Sequence, residues 1–318
     1  MATNTNLKRV VIVTAAVAVA ALGIAGLVAL ASGGFGAVGA FGRAGNQVDQ
    51  RKSAALAGVE QIRIEGVSDD VTVKTVDGDS LDAWFHGSVG GSDPANAPKL
   101  TVEQDGSAVL VRIERGPVRF GFFWSDLKLD VSVPAAYTGS VSVNVVSAKV
   151  DLQDHQYSGV TVSTVSGDVL VGAVKSQAFS ARTTSGRVQA SSVESSTAEL
   201  STVSGEIEVR SLSGATAVHT TSGSVSITYA SMPAAVDASS TSGDVLLRFP
   251  QDAAFGLDAR STSGDVKCAF PITITDSASG GGRHALAGTV GSGGNQGGSV
   301  LPKVSVRTTS GSINVRKM

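Results

Sequence analysis

The chain has 318 residues, 38 of them Gly, with 16% charged and 5% aromatic residues, one Cys and a net charge of −2. A charged fraction well below the usual ~25% and a near-zero balance exclude a charge-rich disordered chain and a protein that tracks nucleic-acid phosphates. Eight Pro and no Gly at every third residue exclude collagen, and a single Cys excludes an internal disulfide and a thiolate-rich zinc site.

Residues 1–9 read as a short cytoplasmic leader ending in Lys8-Arg9. Val10 to Ala31 is a run of 22 uncharged, mostly apolar residues. As a helix rising ~1.5 Å per residue it spans about 33 Å, which matches a ~30 Å hydrocarbon core. The expectation is a transmembrane helix over 10–32, so that residues 10–31 make the membrane a partner; the alternative is a signal segment cleaved after Ala29-Leu30-Ala31, giving a secreted protein. Lys8 and Arg9 favour a single-pass orientation with the N-terminus in the cytoplasm and everything after residue 32 outside it. Residues 33–58 read as a Gly-rich stalk. Within it, Gly34-Phe-Gly36-Ala-Val-Gly39 has the spacing of a dinucleotide fingerprint, but no strand precedes it and no βαβ unit surrounds it, so no cofactor is expected.

Residues 59–135 read as an N-terminal β cap. Leu100 to Arg115 forms a hairpin pattern about Asp105-Gly106, and Phe120, Phe122, Phe123 and Trp124 widen the cap. Residues 136–275 read as the repeats of a β-solenoid. The strings TVSGDV (164–169), TTSGRV (183–188), TVSGEI (202–207), TTSGSV (220–225), STSGDV (240–245), STSGDV (261–266) and, further on, TTSGSI (308–313) are variants of one unit. Their glycines are Gly167, Gly186, Gly205, Gly223, Gly243, Gly264 and Gly311, at separations of 19, 19, 18, 20, 21 and 47 residues. VSAKV (146–150) is a degenerate copy, and Val67-Ser68-Asp69-Asp70-Val71 is similar to it.

Apolar residues recur at period two around each Gly, for example Val169, Val188, Ile207, Val225, Val245, Val266 and Ile313 two positions after it. This alternation marks short strands with one buried face. A spacing of ~19–21 residues lays each coil on the coil before it, so the fold class is all-β, a single-stranded parallel β-solenoid. The Gly marks a corner, since Gly alone tolerates the positive φ that tight corners often require, and the Ser before it can hydrogen-bond backbone groups of that turn. Residues 276–318 read as a Gly-rich loop followed by a C-terminal capping coil.

The repeat resembles a bacterial putative-adhesin family, a domain of otherwise unknown function built from T-x-S-G-D-[VI]-x-[VI] coils behind an N-terminal membrane segment. The likeness covers about residues 59–318 and includes the run LKLDVSVP (127–134), which looks like the family's entry strand. It implies an extracytoplasmic β-solenoid with no catalytic residues to carry over.

No G-x-S-x-G elbow, P-loop, H-E-x-x-H or Asp-rich calcium nonapeptide is present, and His86, His155, His219 and His284 are scattered. Cys268 falls in an inward column and reads as an inert thiol. Sequential stacking sets Asp244 beside Asp265 and Asp237 beside Asp258 on neighbouring strands ~4.8 Å apart, close to the ~5–5.5 Å of a retaining glycosidase or to the reach of one Ca²⁺. These four carboxylates are the weak metal candidates; the alternative is a solvated face. The functional expectation is a non-enzymatic, membrane-anchored, adhesin-like binding or structural module of the cell envelope. Its partner is an envelope protein or glycan and not nucleic acid. The alternatives are a polysaccharide-acting β-helix enzyme and an envelope sensor working through a membrane partner.

Overall fold

The structure, a computed structural model, describes residues 46–90, 97–115, 124–274, 284–291 and 301–318. The membrane segment at 10–32, the fingerprint at 34–39 and Phe120, Phe122 and Phe123 lie outside those residues. Among the described residues every regular element is a strand, and no helix is long and apolar enough to cross a membrane.

The strands begin with β1 (Asn46–Ala55), β2 (Gln61–Glu65), β3 (Asp70–Val76), β4 (Ser80–Gly90), β5 (Lys99–Asp105), β6 (Ala108–Glu114) and β7 (Trp124–Pro134). They continue as β8 (Ser140–Asn144), β9 (Val150–Leu152), β10 (His155–Gln156), β11 (Gly159–Ser166), β12 (Val169–Ser185), β13 (Val188–Ser204) and β14 (Ile207–Ser222). Then come β15 (Val225–Tyr229), β16 (Ala235–Ser242), β17 (Val245–Phe249), β18 (Phe255–Ser263), β19 (Val266–Cys268) and β20 (Ile272–Ile274). The last three are β21 (Ala285–Val290), β22 (Lys303–Ser310) and β23 (Ile313–Lys317).

The result is a solenoid-like stack of parallel strands. Val169 faces Val188, Val188 faces Ile207, Ile207 faces Val225 and Val225 faces Val245, so the register advances by 19, 19, 18 and 20 residues. The inward columns are buried as the alternation requires, except in β19, where Val266 and Cys268 are half-buried. Val162, Ala181, Leu200, Val218, Ala238, Val306 and Ala259 are each 0% exposed.

The stack does not follow chain order. β16 and β17 pair with β22 and β23, which in turn pair with β18 and β19. Repeat 303–317 is therefore an internal coil, and the expectation that it caps the stack is corrected. The end is closed instead by β21, antiparallel to β18, with β20 antiparallel to β21. A similar displacement occurs at the other end, where β2 lies between β6 and β8, and β3 between β7 and β9, all parallel. The segment 61–76, assigned to a cap, is thus a true coil. The physical reason is that one repeat motif makes every coil face an acceptable neighbour for several others, so sequence order alone does not choose among them.

One further expectation changes. Residues 46–55, read as part of a stalk, are β1, paired antiparallel with β4 along its length. The described aromatic stack lies at the far end, where Tyr229, Phe249, Phe255 and Phe270 follow one another at centroid distances of 4.9, 5.0 and 5.6 Å. The hairpin about Asp105-Gly106 is present as β5–β6, with Gly106 at φ 60°.

The corner glycines form a continuous ladder in spatial order. A Cβ on Gly186, Gly205, Gly223, Gly243, Gly311 or Gly264 would overlap the carbonyl oxygen of the preceding coil's glycine. Positive φ is not the common cause, because Gly167, Gly205 and Gly264 lack it. Close backbone approach is what all seven share. The Ser before each Gly is exposed; the buried hydroxyls belong to the column three before the Gly, where Ser261 Oγ donates to Gly311 O at 2.9 Å.

At the N-terminal end of this column Ala148 and Asp69 replace Gly. Asp69 is 0% exposed and pairs with Arg115. Burial pushes its carboxyl above the ordinary 3.8, with Arg115 opposing. The folded chain therefore holds a proton that the unfolded chain has released, and stability falls as pH rises through that window. Urea titrations across the acid range are expected to show wild type gaining stability relative to Asp69→Asn as pH falls toward 3.8; a difference independent of pH would refute the assignment.

Candidate functional site

The outward columns carry any contact with other molecules. Two of the three Asp of the S-G-D signature, Asp168 and Asp244, turn out to be structural, as does Asp70 at the equivalent position of an earlier coil. Asp168 Oδ1 accepts the N–H of Arg187 at 2.8 Å, Asp244 Oδ1 that of Ser312 at 2.7 Å, and Asp70 Oδ1 that of Lys149 at 3.0 Å. Each carboxylate thus caps a backbone donor on the next coil in space, an arrangement worth more than a neutral hydrogen bond.

The proposed carboxylate pairs are not on neighbouring strands. Ser305 stands between Asp237 and Asp258, and Ser312 lies between Asp244 and Asp265. Two strand spacings of ~4.8 Å separate the backbones of each pair, so the retaining-glycosidase geometry is not formed. Asp258 is held by Arg260 at 2.8 Å and by Arg307 at 3.5 Å. No cluster of three or more His, Cys, Asp or Glu suited to a metal occurs among the described residues.

The histidines are engaged individually. His155 lies 2.7 Å from Tyr137 O and 3.0 Å from Thr75 Oγ1, His219 Nδ1 lies 2.7 Å from Ser239 Oγ, and His284 Nδ1 lies 2.7 Å from Gly264 O. Half-buried Cys268 pairs in register with Val315, and burial pushes its thiol up, which disfavours the thiolate. Burial likewise raises Tyr137 to about 12.

A groove of about 680 Å³ runs across the coils beside one corner. Its floor is a column of small side chains at Gly159, Ala178, Thr197, Ala215 and Ala235, ending at Lys303. The next outward column, Thr161, Ser180, Glu199, Ala217, Asp237 and Ser305, is in register from strand to strand and forms the polar side. Six coils at ~4.8 Å make this a trough of about 24 Å whose backbone repeats at each step while its polar side changes among hydroxyl, carboxylate and methyl groups. Ser180 Oγ and Ser305 Oγ are buried without a hydrogen-bond partner among the described residues. Arg182 neutralises Glu199, whereas Asp237 and Lys303 have no side-chain partner among the described residues. The groove is thus apolar below, hydroxyl-lined beside, and charged at one end.

A second cluster lies on β1–β4–β7. Trp84 stacks on His86 at 3.9 Å, Arg51 lies over the indole at 4.5 Å, and Trp84 Nε1 donates to Asp49 Oδ1 at 2.7 Å. His86 Nε2 lies 3.6 Å from Asp130 Oδ2. His86 Nε2 is buried without a hydrogen-bond partner among the described residues, but Arg51 and His86 already occupy the indole, which leaves the groove as the better site. Sequence reasoning missed both. Columns of small residues were visible, but their concavity depends on the neighbouring walls; the Trp84-x-His86 spacing placed two rings on one face, but Arg51 reaches them only through the β1–β4 register.

A family model described as Toastrack DUF4097 matches residues 59–316. No curated protein matches the chain. Similar solved structures include a putative adhesin from Bacteroides fragilis, 11% identical with a TM-score of 0.47 over 86% of this chain and 97% of that one. A putative lipid binding protein from Parabacteroides distasonis is 14% identical, with a TM-score of 0.42 over 86% and 98%. A putative cell adhesion protein from Clostridium sporogenes is 10% identical, with a TM-score of 0.32 over 86% and 100%. These likenesses concern the fold alone.

Proposed function

The chain belongs to the Toastrack DUF4097 family, and from that premise we propose that it is a non-enzymatic, adhesin-like binding module of the cell envelope. In this reading residues 10–31 anchor it in the membrane with the N-terminus in the cytoplasm. The described domain is then a single-stranded solenoid of 19–21-residue coils facing outward. The observation that carries the proposal is the groove. A trough about 24 Å long, stepped every ~4.8 Å by the stacked strands, has the shape to take an extended polymer lying along the stack. The exposed Thr161, Thr197 and Asp237 side chains beside the alanines of the floor favour a glycan, whose rings present both hydroxyls and C–H faces.

Ala215 lies on the groove floor, and a large side chain there fills the trough without entering the core. Detergent-solubilised full-length chain is expected to retain labelled envelope polysaccharide, and Ala215→Trp to weaken retention about tenfold or more, with its thermal unfolding unchanged. Equal retention by both proteins would remove the groove from the proposal. Turnover of the polysaccharide by wild type would favour the enzyme alternative.

A further inference from the structure

We propose that the slot between β16–β17 and β18–β19 is a strand-acceptor site for repeat 303–317, filled within one chain in this structure and able to take the same repeat from a second copy. This inference is independent of the groove's ligand.

Repeat 303–317 enters between two coils that precede it in the chain. On one wall Gly243 N donates to Ser310 O and Val245 N to Ser312 O, each at 2.9 Å; on the other, Gly311 N donates to Ser263 O at 3.2 Å and Ile313 N to Asp265 O at 2.9 Å. Gly311 also fits the glycine ladder, between Gly243 and Gly264. The slot therefore offers matched backbone partners and a steric key on both sides.

Charge distinguishes the filled slot from a collapsed one. Direct contact of its walls would set Asp237 against Asp258 and Asp244 against Asp265, whereas the inserted repeat interposes Ser305 and Ser312. It also brings the Ser312 N–H to Asp244 and Arg307 to Asp258. Like charges directly opposite on adjacent strands are unfavourable, so the emptied slot resists closing on itself. These wall contacts are all made to the repeat itself, and a second copy carries the identical repeat. Exchange of an identical element replaces every contact with its equivalent, which is why it is a low-cost route to association.

Disulfide trapping in the full-length chain, with Cys268→Ala to remove the native thiol, tests this. Leu246 pairs with Asn314 on one wall and Lys267 with Asn314 on the other. Adjacent strands at ~4.8 Å lie within the Cα separation a disulfide spans. A chain carrying both Leu246→Cys and Asn314→Cys is expected to cross-link internally. Mixing a Leu246→Cys chain with an Asn314→Cys chain is expected to give a disulfide-linked dimer that increases with protein concentration. Its yield should be about tenfold or more above that from mixing Gln189→Cys and Glu208→Cys chains, a mid-stack pair with no slot between its strands. Lys267→Cys with Asn314→Cys repeats the test at an exposed position. Internal cross-linking of the double variants without dimer from either mixture would overturn the proposal, as would dimer no more abundant than in the mid-stack mixture. Failure of both double variants to cross-link would overturn the pairing on which it rests.

Discussion

Gly223→Ala is expected to destabilise the folded chain by about 3–5 kcal/mol, combining ~1–2 kcal/mol for a left-handed backbone with the strain of forcing two coils apart. Gly223 has φ 149°, and an added Cβ would overlap the carbonyl oxygen of Gly205. That oxygen is backbone in the neighbouring coil and is fixed by the ladder, so no flexible side chain can yield. Gly205→Ala separates the two causes. Gly205 lacks positive φ yet meets Gly186 O in the same manner, so the steric part alone is expected to remain, at about 2–3 kcal/mol. Gly159→Ala is the control. Its Cβ would meet Ser140 Cβ at 3.8 Å and Ala178 O at 3.9 Å, ordinary contacts, so a change within about 0.5 kcal/mol is expected. Chemical denaturation of the three variants decides this; equal effects at Gly223 and Gly159 would dismiss the ladder as the reason for the conserved spacing of glycines within the repeat.

A chain ending at Leu301 is expected to lose protection against amide exchange in β16–β17 and β18–β19 together, by about 3 kcal/mol or more in opening free energy. In a stacked array each coil is stabilised through its neighbours, and removal of an internal coil abolishes two interfaces where removal of a terminal coil abolishes one. The lost repeat also takes four core side chains, Val304, Val306, Ile313 and Val315, exposed by at most 1%. Closure of the gap would bring two Asp–Asp pairs to ~4.8 Å, each repulsive by about 1 kcal/mol in a solvated setting. Protection retained in β18–β19 after the truncation would mean that the sequential order is available, and that the intercalated order has no energetic advantage.

Much of the coil was legible from the residues. Period-two alternation placed Val169, Val188, Ile207 and Val225 inward, and each is at most 1% exposed. The hairpin at Asp105-Gly106 was legible because its turn chemistry is local. The Asp column was assigned wrongly because a carboxylate's role depends on the strand beside it. Asp244 was read against Asp265, its neighbour in repeat number, whereas its spatial neighbour is Ser312. The Thr column was undervalued for a similar reason, since the carbonyl it faces belongs to another coil.

The candidate groove shows the same division. Ala178, Ala215 and Ala235 are small residues at one repeat position, a pattern that sequence reading passed over, and a trough exists only once six coils, including the one carrying Lys303, are stacked in register. The sequence by itself determined the repeating unit, its inward columns and its obligatory glycines, because these follow from alternation and backbone sterics within about twenty residues. Only the tertiary structure decided the order of the coils, the partners of the carboxylates and the floor of the groove. Repeats of one motif are nearly interchangeable as neighbours, and the choice among them falls to charges and hydrogen bonds between segments distant in the chain.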